Sequence, residues 1–349
     1  MVNNRVLYLS RIKALACAAV VVLHTFFTAA NYAAVPYQLN TMSAVRNCMM
    51  WAVPCFVMAS GALLLNSKRI LTSKKLFGKY IPRMVFALLI FSVIFSVFDA
   101  FTTAHYTPAQ TLGDILSDIF LGTGWPHMWY IYLMLSIYLL LPFYKMICDH
   151  ASSAQIKYLL LLYTIFLSLI PFIETISGKK LPFYICVFSI YPLYLFLGHA
   201  LHTGIIKLPK NACGIMFLIC TGITAMLTVY GMSVAKSSPE TSSKIISLLG
   251  VYSFPLYIAA SVGAFGYIRK TRNTPVPVLD TIAAELDSCS FGIYLLHMAV
   301  LKLIFAVIKF DPFKHGGTIT IIGICIIALI ISYALTKLLK LVPYFNKII

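Results

Sequence analysis

The sequence predicts an all-α fold, a polytopic transmembrane helical bundle of about ten spans with the N- and C-termini cytoplasmic, read as a single domain over residues 1–349. Three observations carry this. Of the residues, 60% are apolar and only 11% are charged, with a mean hydropathy of +0.90, whereas a soluble domain has about a quarter charged residues. The apolar residues fall in runs of roughly 20, the length that crosses the hydrocarbon core as a helix. The cations gather in alternate connections, as the positive-inside rule requires of cytoplasmic loops. The excess of 27 Lys and Arg over 10 Asp and Glu is therefore topological. It implies the lipid bilayer as partner and no nucleic acid.

The predicted spans are residues 12–30, 43–65, 84–103, 128–147, 158–176, 181–201, 212–234, 245–268, 288–308 and 318–339. Arg5, Arg11 and Lys13 are the cations at the N-terminal end of the first span, which is long enough to cross and is followed by no small-residue cleavage site. It reads as a permanent helix and not a cleaved leader. Further cations lie at 68–83, 145–157, 207–210, 269–272 and in the tail (Lys337, Lys340, Lys347), while Asp114, Asp118, Glu174, Glu240 and Asp311 fall in the intervening loops. Lys68, Arg69, Lys74, Lys75, Lys79 and Arg83 form a basic stretch without an acid. Such a stretch attracts anionic headgroups at about 1 kcal/mol per cation, or forms a cytoplasmic phosphate-binding site. Residues 111–124 are amphipathic, with Leu112, Ile115, Leu116, Ile119 and Phe120 on one side, and are expected to lie on the outer surface. Residues 269–288, containing Pro275 and Pro277, read as a cytoplasmic linker. The nine cysteines stand singly, without CxxC, mostly in apolar spans. That is the pattern of packing residues, with no metal site and no disulfide framework.

Ionisable groups inside a bilayer are costly and mark function by default. Lys13 and His24 are eleven residues apart, three helical turns plus about 20°, so they share a face and lie roughly 16 Å apart along the axis. Arg11 falls nearly opposite, towards headgroups or another helix. His297 enters the ninth span at a depth similar to that of His24, with Lys302 further out, and a polar cavity results if the two helices pack together. Arg46 opens the second span and either snorkels or lines a site. Ser60 lies deeper in that span, and Pro54 opens its hydrogen-bond ladder. The run PHMWYIY, with His127, Trp129 and Tyr130, is either an interfacial aromatic belt or part of a site. Asp99 is a weaker candidate.

Four stretches in this order, LSRIKALACAAVVVLHTF, VPCFVMASGALLL, HMWYIYLMLSIYLLLPF and SFGIYLLH, together with YPLYLFLGHAL, resemble the acyltransferase-3 family of bacterial integral-membrane O-acyltransferases. The likeness is to the stand-alone type without a fused esterase-like domain. It implies transfer of an acyl group, usually acetyl from acetyl-CoA, to a hydroxyl of a cell-envelope glycan or lipid-linked saccharide in the cytoplasmic (inner) membrane, with no metal. The family signature is an arginine, ten residues and a histidine. His24 matches the histidine, Lys13 occupies the arginine position, and Ser10 stands where an acid is usual. Met50 replaces an arginine four residues before Pro54, with Arg46 one turn earlier on the same face. By this resemblance His24 and Lys13 are catalytic: His24 acts as general base or transient nucleophile, and Lys13 holds an anionic part of coenzyme A or stabilises developing charge. Arg46, Ser60, His127, Trp129, Tyr130, His297 and Lys302 are donor- or acceptor-site candidates. Two other readings compete. A lipid or saccharide transporter or flippase is opposed by the lack of an inverted repeat and of paired Gly- or Pro-interrupted spans; a catalytically degenerate family member is motivated by Lys13 and Met50.

Overall fold

The computed structural model describes residues 7–67, 71–102, 108–185, 187, 189–271 and 276–349, with the side chains of 108–111 left out. Arg5, Lys68, Arg69, Arg272 and Pro275 lie outside the described residues. Among the described residues every regular element is helical. Among the described residues, eight helices are long and apolar enough to cross a membrane.

Four departures from the expected elements have local causes. Residues 181–201 are not one helix: among the described residues of this stretch, the helical ones are those of Tyr191–Thr203. The preceding helix Ile170–Ser177 ends at Gly178 in the left-handed conformation (φ 70°), and Pro192 begins the next one. Residues 245–268 divide into Pro239–Leu249 and Pro255–Lys270, because Gly250 follows the first helix and Pro255 occupies the first turn of the second, where a missing N–H is tolerated. The span expected at 43–65 is interrupted between Pro36–Cys48 and Ala52–Leu64. Pro54 has no N–H for the carbonyl of Met50, and its ring crowds that carbonyl. Finally, residues 277–288 are not linker. One helix runs Pro277–Lys302, with proline at its start and Asp280 in the first turn accepting from the Val276 N–H at 2.8 Å.

The chain forms two compact units: residues 1–69, 147–290 and 311–325, and residues 70–146, 291–310 and 326–349. In the first, the helices Ala52–Leu64 and Tyr191–Thr203 meet backbone to backbone. A Cβ on Gly61 would lie 1.9 Å from the Leu195 carbonyl oxygen, and one on Gly198 would lie 1.9 Å from that of Met58. Small residues are what permit such an approach between helices in lipid. Gly198→Ala is therefore expected to destabilise by at least the ~1–3 kcal/mol of ordinary overpacking, since the obstacle is backbone. Gly222→Ala, with nothing within 4 Å of the added carbon, is the matched control. Melting of the purified variants in detergent measures both; equal melting temperatures would contradict the close packing.

In the second unit, Trp125 stacks on Phe95 with ring centroids 4.3 Å apart. The amphipathic helix Pro108–Phe120 is held at its C-terminal end by the Tyr132 hydroxyl, which donates to the carbonyls of Asp118 at 2.7 Å and Ile119 at 3.1 Å. Those carbonyls have no partner within the helix.

Candidate active site

The first helix, Leu7–Ala29, carries one end of the site. Lys13 Nζ lies 2.5 Å from Asp287 Oδ1, and Ser10 Oγ donates to Asp287 Oδ2 at 2.8 Å. Arg11 has a separate set of partners. Its Nε and Nη2 grip Asp280 at 2.6 and 3.0 Å, and its Nη1 donates to the carbonyl and the hydroxyl of Thr271, both at 2.8 Å. Of the two directions open to Arg11, the structure selects another helix. Asp280 and Asp287 sit seven residues, two turns, apart on the Pro277–Lys302 helix, so one acidic face receives both cations. Both acids fell in the segment read as a linker. Their spacing of seven in DTIAAELD was the available signal.

His24 stands on the same helix roughly 16 Å beyond Lys13. Its Nδ1 is 3.0 Å from the Val20 carbonyl, which can only accept. The ring proton therefore sits on Nδ1, and Nε2 is the lone-pair nitrogen. Arg46, at the end of Pro36–Cys48, lies over the Phe27 ring at 4.9 Å. It is within electrostatic reach of His24, Tyr252 and Tyr257. Its Nε is buried without a hydrogen-bond acceptor.

Next to this pair lie the two helix interruptions. Leu23, Met50, Leu248, Leu249, Phe254 and Tyr257 form one buried apolar cluster, with Met49 and Tyr252 packed against it. Thus the break at 49–51 faces the break at 250–254 beside the His24 turn. Irregular backbone at membrane depth requires internal partners. Side-chain hydroxyls supply them: Tyr257 donates to the Leu249 carbonyl at 3.0 Å, Tyr194 to that of Tyr252 at 2.6 Å, and Ser168 to that of Ser253 at 2.6 Å. Two clefts flank this segment. One, of about 460 Å³, has Tyr191, Ser189 and residues 250–253 in its walls. The other, of about 350 Å³, is apolar apart from Thr241 and Lys244. None of these hydroxyls was among the residues singled out from sequence, because a hydroxyl in an apolar helix carries no periodic signal.

The other expected residues are placed as follows. Ser60 Oγ donates to the Phe56 carbonyl of its own helix at 3.1 Å. In the second unit, His127 and His297 are buried with ring centroids 5.5 Å apart. Each bonds a carbonyl: His127 Nε2 that of Leu295 at 3.2 Å, His297 Nδ1 that of Ile293 at 3.1 Å. The Tyr294 hydroxyl donates to the His127 carbonyl, and its ring lies 5.4 Å from that of Tyr130. Trp129 is exposed and meets Tyr130 edge-on. Lys302 pairs with Asp99, lies 4.9 Å over Trp125, and shares Asp99 with the Trp125 indole N–H at 2.9 Å. The histidine the structure brings to His297 is thus His127; His24 belongs to the other unit. Lys74, Lys75 and Lys79 are exposed. Arg83 is half-buried, donating to the Ile348 carbonyl at 2.7 Å and lying 5.3 Å over Phe291.

The model of the acyltransferase-3 family, described as an acyltransferase domain, matches residues 6–337. No curated protein and no solved structure matches the chain.

Proposed function

Because this chain belongs to the acyltransferase-3 family and is a membrane acyltransferase, we propose that it moves an acetyl group from acetyl-CoA to a hydroxyl of a cell-envelope glycan or lipid-linked saccharide in the bacterial inner membrane. The observation that carries the reading is His24 itself: a histidine inside a membrane-length helix, its Nδ1 proton held by the Val20 carbonyl, which makes Nε2 the basic nitrogen. As general base, Nε2 takes the proton of the acceptor hydroxyl while the oxygen attacks the thioester carbonyl. The carbon–sulfur bond then breaks, and the coenzyme A thiolate takes up the proton. As transient nucleophile, Nε2 attacks the carbonyl, releases the thiolate and passes the acyl group to the hydroxyl oxygen, whose proton goes to the thiolate as the nitrogen–acyl bond breaks. Lys13, about 16 Å towards the predicted cytoplasmic end, meets an anionic part of coenzyme A. Arg46, with a buried Nε lacking an acceptor, is positioned to stabilise negative charge near His24.

The two interrupted helices remove one argument against transport, the expected lack of such spans. They favour a second reading, a flippase for the same saccharide, because interrupted helices line midplane sites in transporters. Mass spectrometry of the surface glycan from wild-type and deletion strains separates the two. Loss of an acetyl-sized mass supports transfer; accumulation of intact glycan inside supports transport; no difference supports a catalytically degenerate member.

The exposed Lys74, Lys75 and Lys79 extend the donor reading to the surface. Replacing Lys74 and Lys75 by Glu is expected to weaken acetyl-CoA binding more at low salt than at high, because exposed charges are screened beyond about 8 Å at physiological ionic strength. Titration calorimetry at two salt concentrations measures this. Equal affinity at low salt would restrict the basic stretch to lipid headgroups.

A further inference from the structure

We propose that Asp287 is the positioning residue for Lys13, acting through one carboxylate that holds the Lys13 ammonium and the Ser10 hydroxyl together; this rests on the reading that Lys13 meets the donor. One carboxylate oxygen lies 2.5 Å from Nζ, and the other accepts from Ser10 Oγ at 2.8 Å. Only 10% of the Asp287 side chain and 23% of that of Lys13 are exposed. A lysine has four flexible carbons and a strongly hydrated head. Near a membrane boundary it snorkels towards water unless something holds it. Asp287 supplies both the hold and the counter-charge that makes an ammonium tolerable at this depth. An ammonium has three donors, so the pair leaves donors for an anionic ligand while fixing where they point.

Arg11 shows that Lys13 is not needed merely to dock the two helices. Its bidentate grip on Asp280 and its two bonds to Thr271 already tether the first helix two residues away. The carboxylate that serves Lys13 lies within hydrogen-bond distance of Ser10, which is three residues before Lys13 and so adjacent to it on the helix surface. A carboxylate moved to position 10 would therefore still reach Lys13. It would then belong to the lysine's own helix and tether nothing.

That difference defines the test. In Asp287→Ala the KM for acetyl-CoA is expected to rise at least tenfold with kcat little changed, and Ser10→Asp in the same chain should bring it back to within about threefold of wild type. Asp287→Asn, which keeps the side chain's shape, gives the same reading if Asp287→Ala is poorly folded. A second measurement does not depend on transfer. The rate at which an amine-reactive reagent modifies Lys13 in the purified protein, followed by peptide mass spectrometry, should rise at least fivefold in Asp287→Ala and fall back in the double variant. Unchanged labelling would show that Asp287 does not hold the lysine and would overturn the proposal. Faster labelling with an unchanged KM, or a KM that Ser10→Asp fails to restore, would make the pair a helix tether and equally overturn it. A wild-type protein that labels as expected but transfers no acetyl group refutes the acyltransferase reading and the donor role drawn from it; the hold on Lys13 then stands on labelling alone.

Discussion

His24→Ala is expected to abolish acetyl transfer while the protein still inserts and folds, the largest effect of any single substitution. A positioned base contributes about 10²–10⁴-fold, and a nucleophile that carries the acyl group has no substitute, so a fall of at least ~10³-fold is expected. Insertion should not suffer, because removing an imidazole makes the helix more apolar. His24→Asn sharpens the test. Its side-chain amide can still donate to the Val20 carbonyl, which His24 Nδ1 approaches to 3.0 Å, yet it has no basic nitrogen in place of Nε2. Both variants should therefore be inactive, with His24→Asn melting as wild type. The assay is acetyl transfer to the native glycan by purified, comparably expressed proteins. Normal acylation by either variant would remove His24 from the chemistry and leave Arg46 and the helix interruptions without a reacting group.

The second large effect separates two neighbouring cations by kind. Arg11→Ala should lower the melting temperature, because it strips a charge-assisted bidentate pair and leaves Asp280 without its counter-ion. Lys13→Ala should instead lose transfer, by about 10²-fold for a charge preorganised towards the donor, with a smaller change in melting. Lys13→Arg should keep activity, since the guanidinium fork suits a carboxylate such as Asp287. The hydrogen bonds of Arg11 to Asp280 and Thr271 give that cation a structural role. Thermal melting and transfer measured on the same preparations decide it. A stable but inactive Arg11→Ala beside an active Lys13→Ala would exchange the two roles.

The sequence by itself determined the membrane class, the all-helical fold and the phase of the first helix. Each of these rests on short-range physics: apolar runs of membrane length, charge placement, and the 3.6-residue turn that puts Lys13 and His24 on one face. It also determined the family, through motifs spread along nearly the whole chain. Prolines 54 and 255 carried a local signal for the two interruptions, because a missing N–H acts on its own helix. Only the tertiary structure decided which groups complete the site. Asp287 meets Ser10 from 277 residues away along the chain, Tyr194 meets the Tyr252 carbonyl from 58, Ser168 meets Ser253 from 85, and His127 meets His297 from another helix. Hydroxyls and carboxylates within apolar helices have no periodicity that names their partners. Their cost in lipid requires that partners exist, and which ones they are is set by how the helices pack.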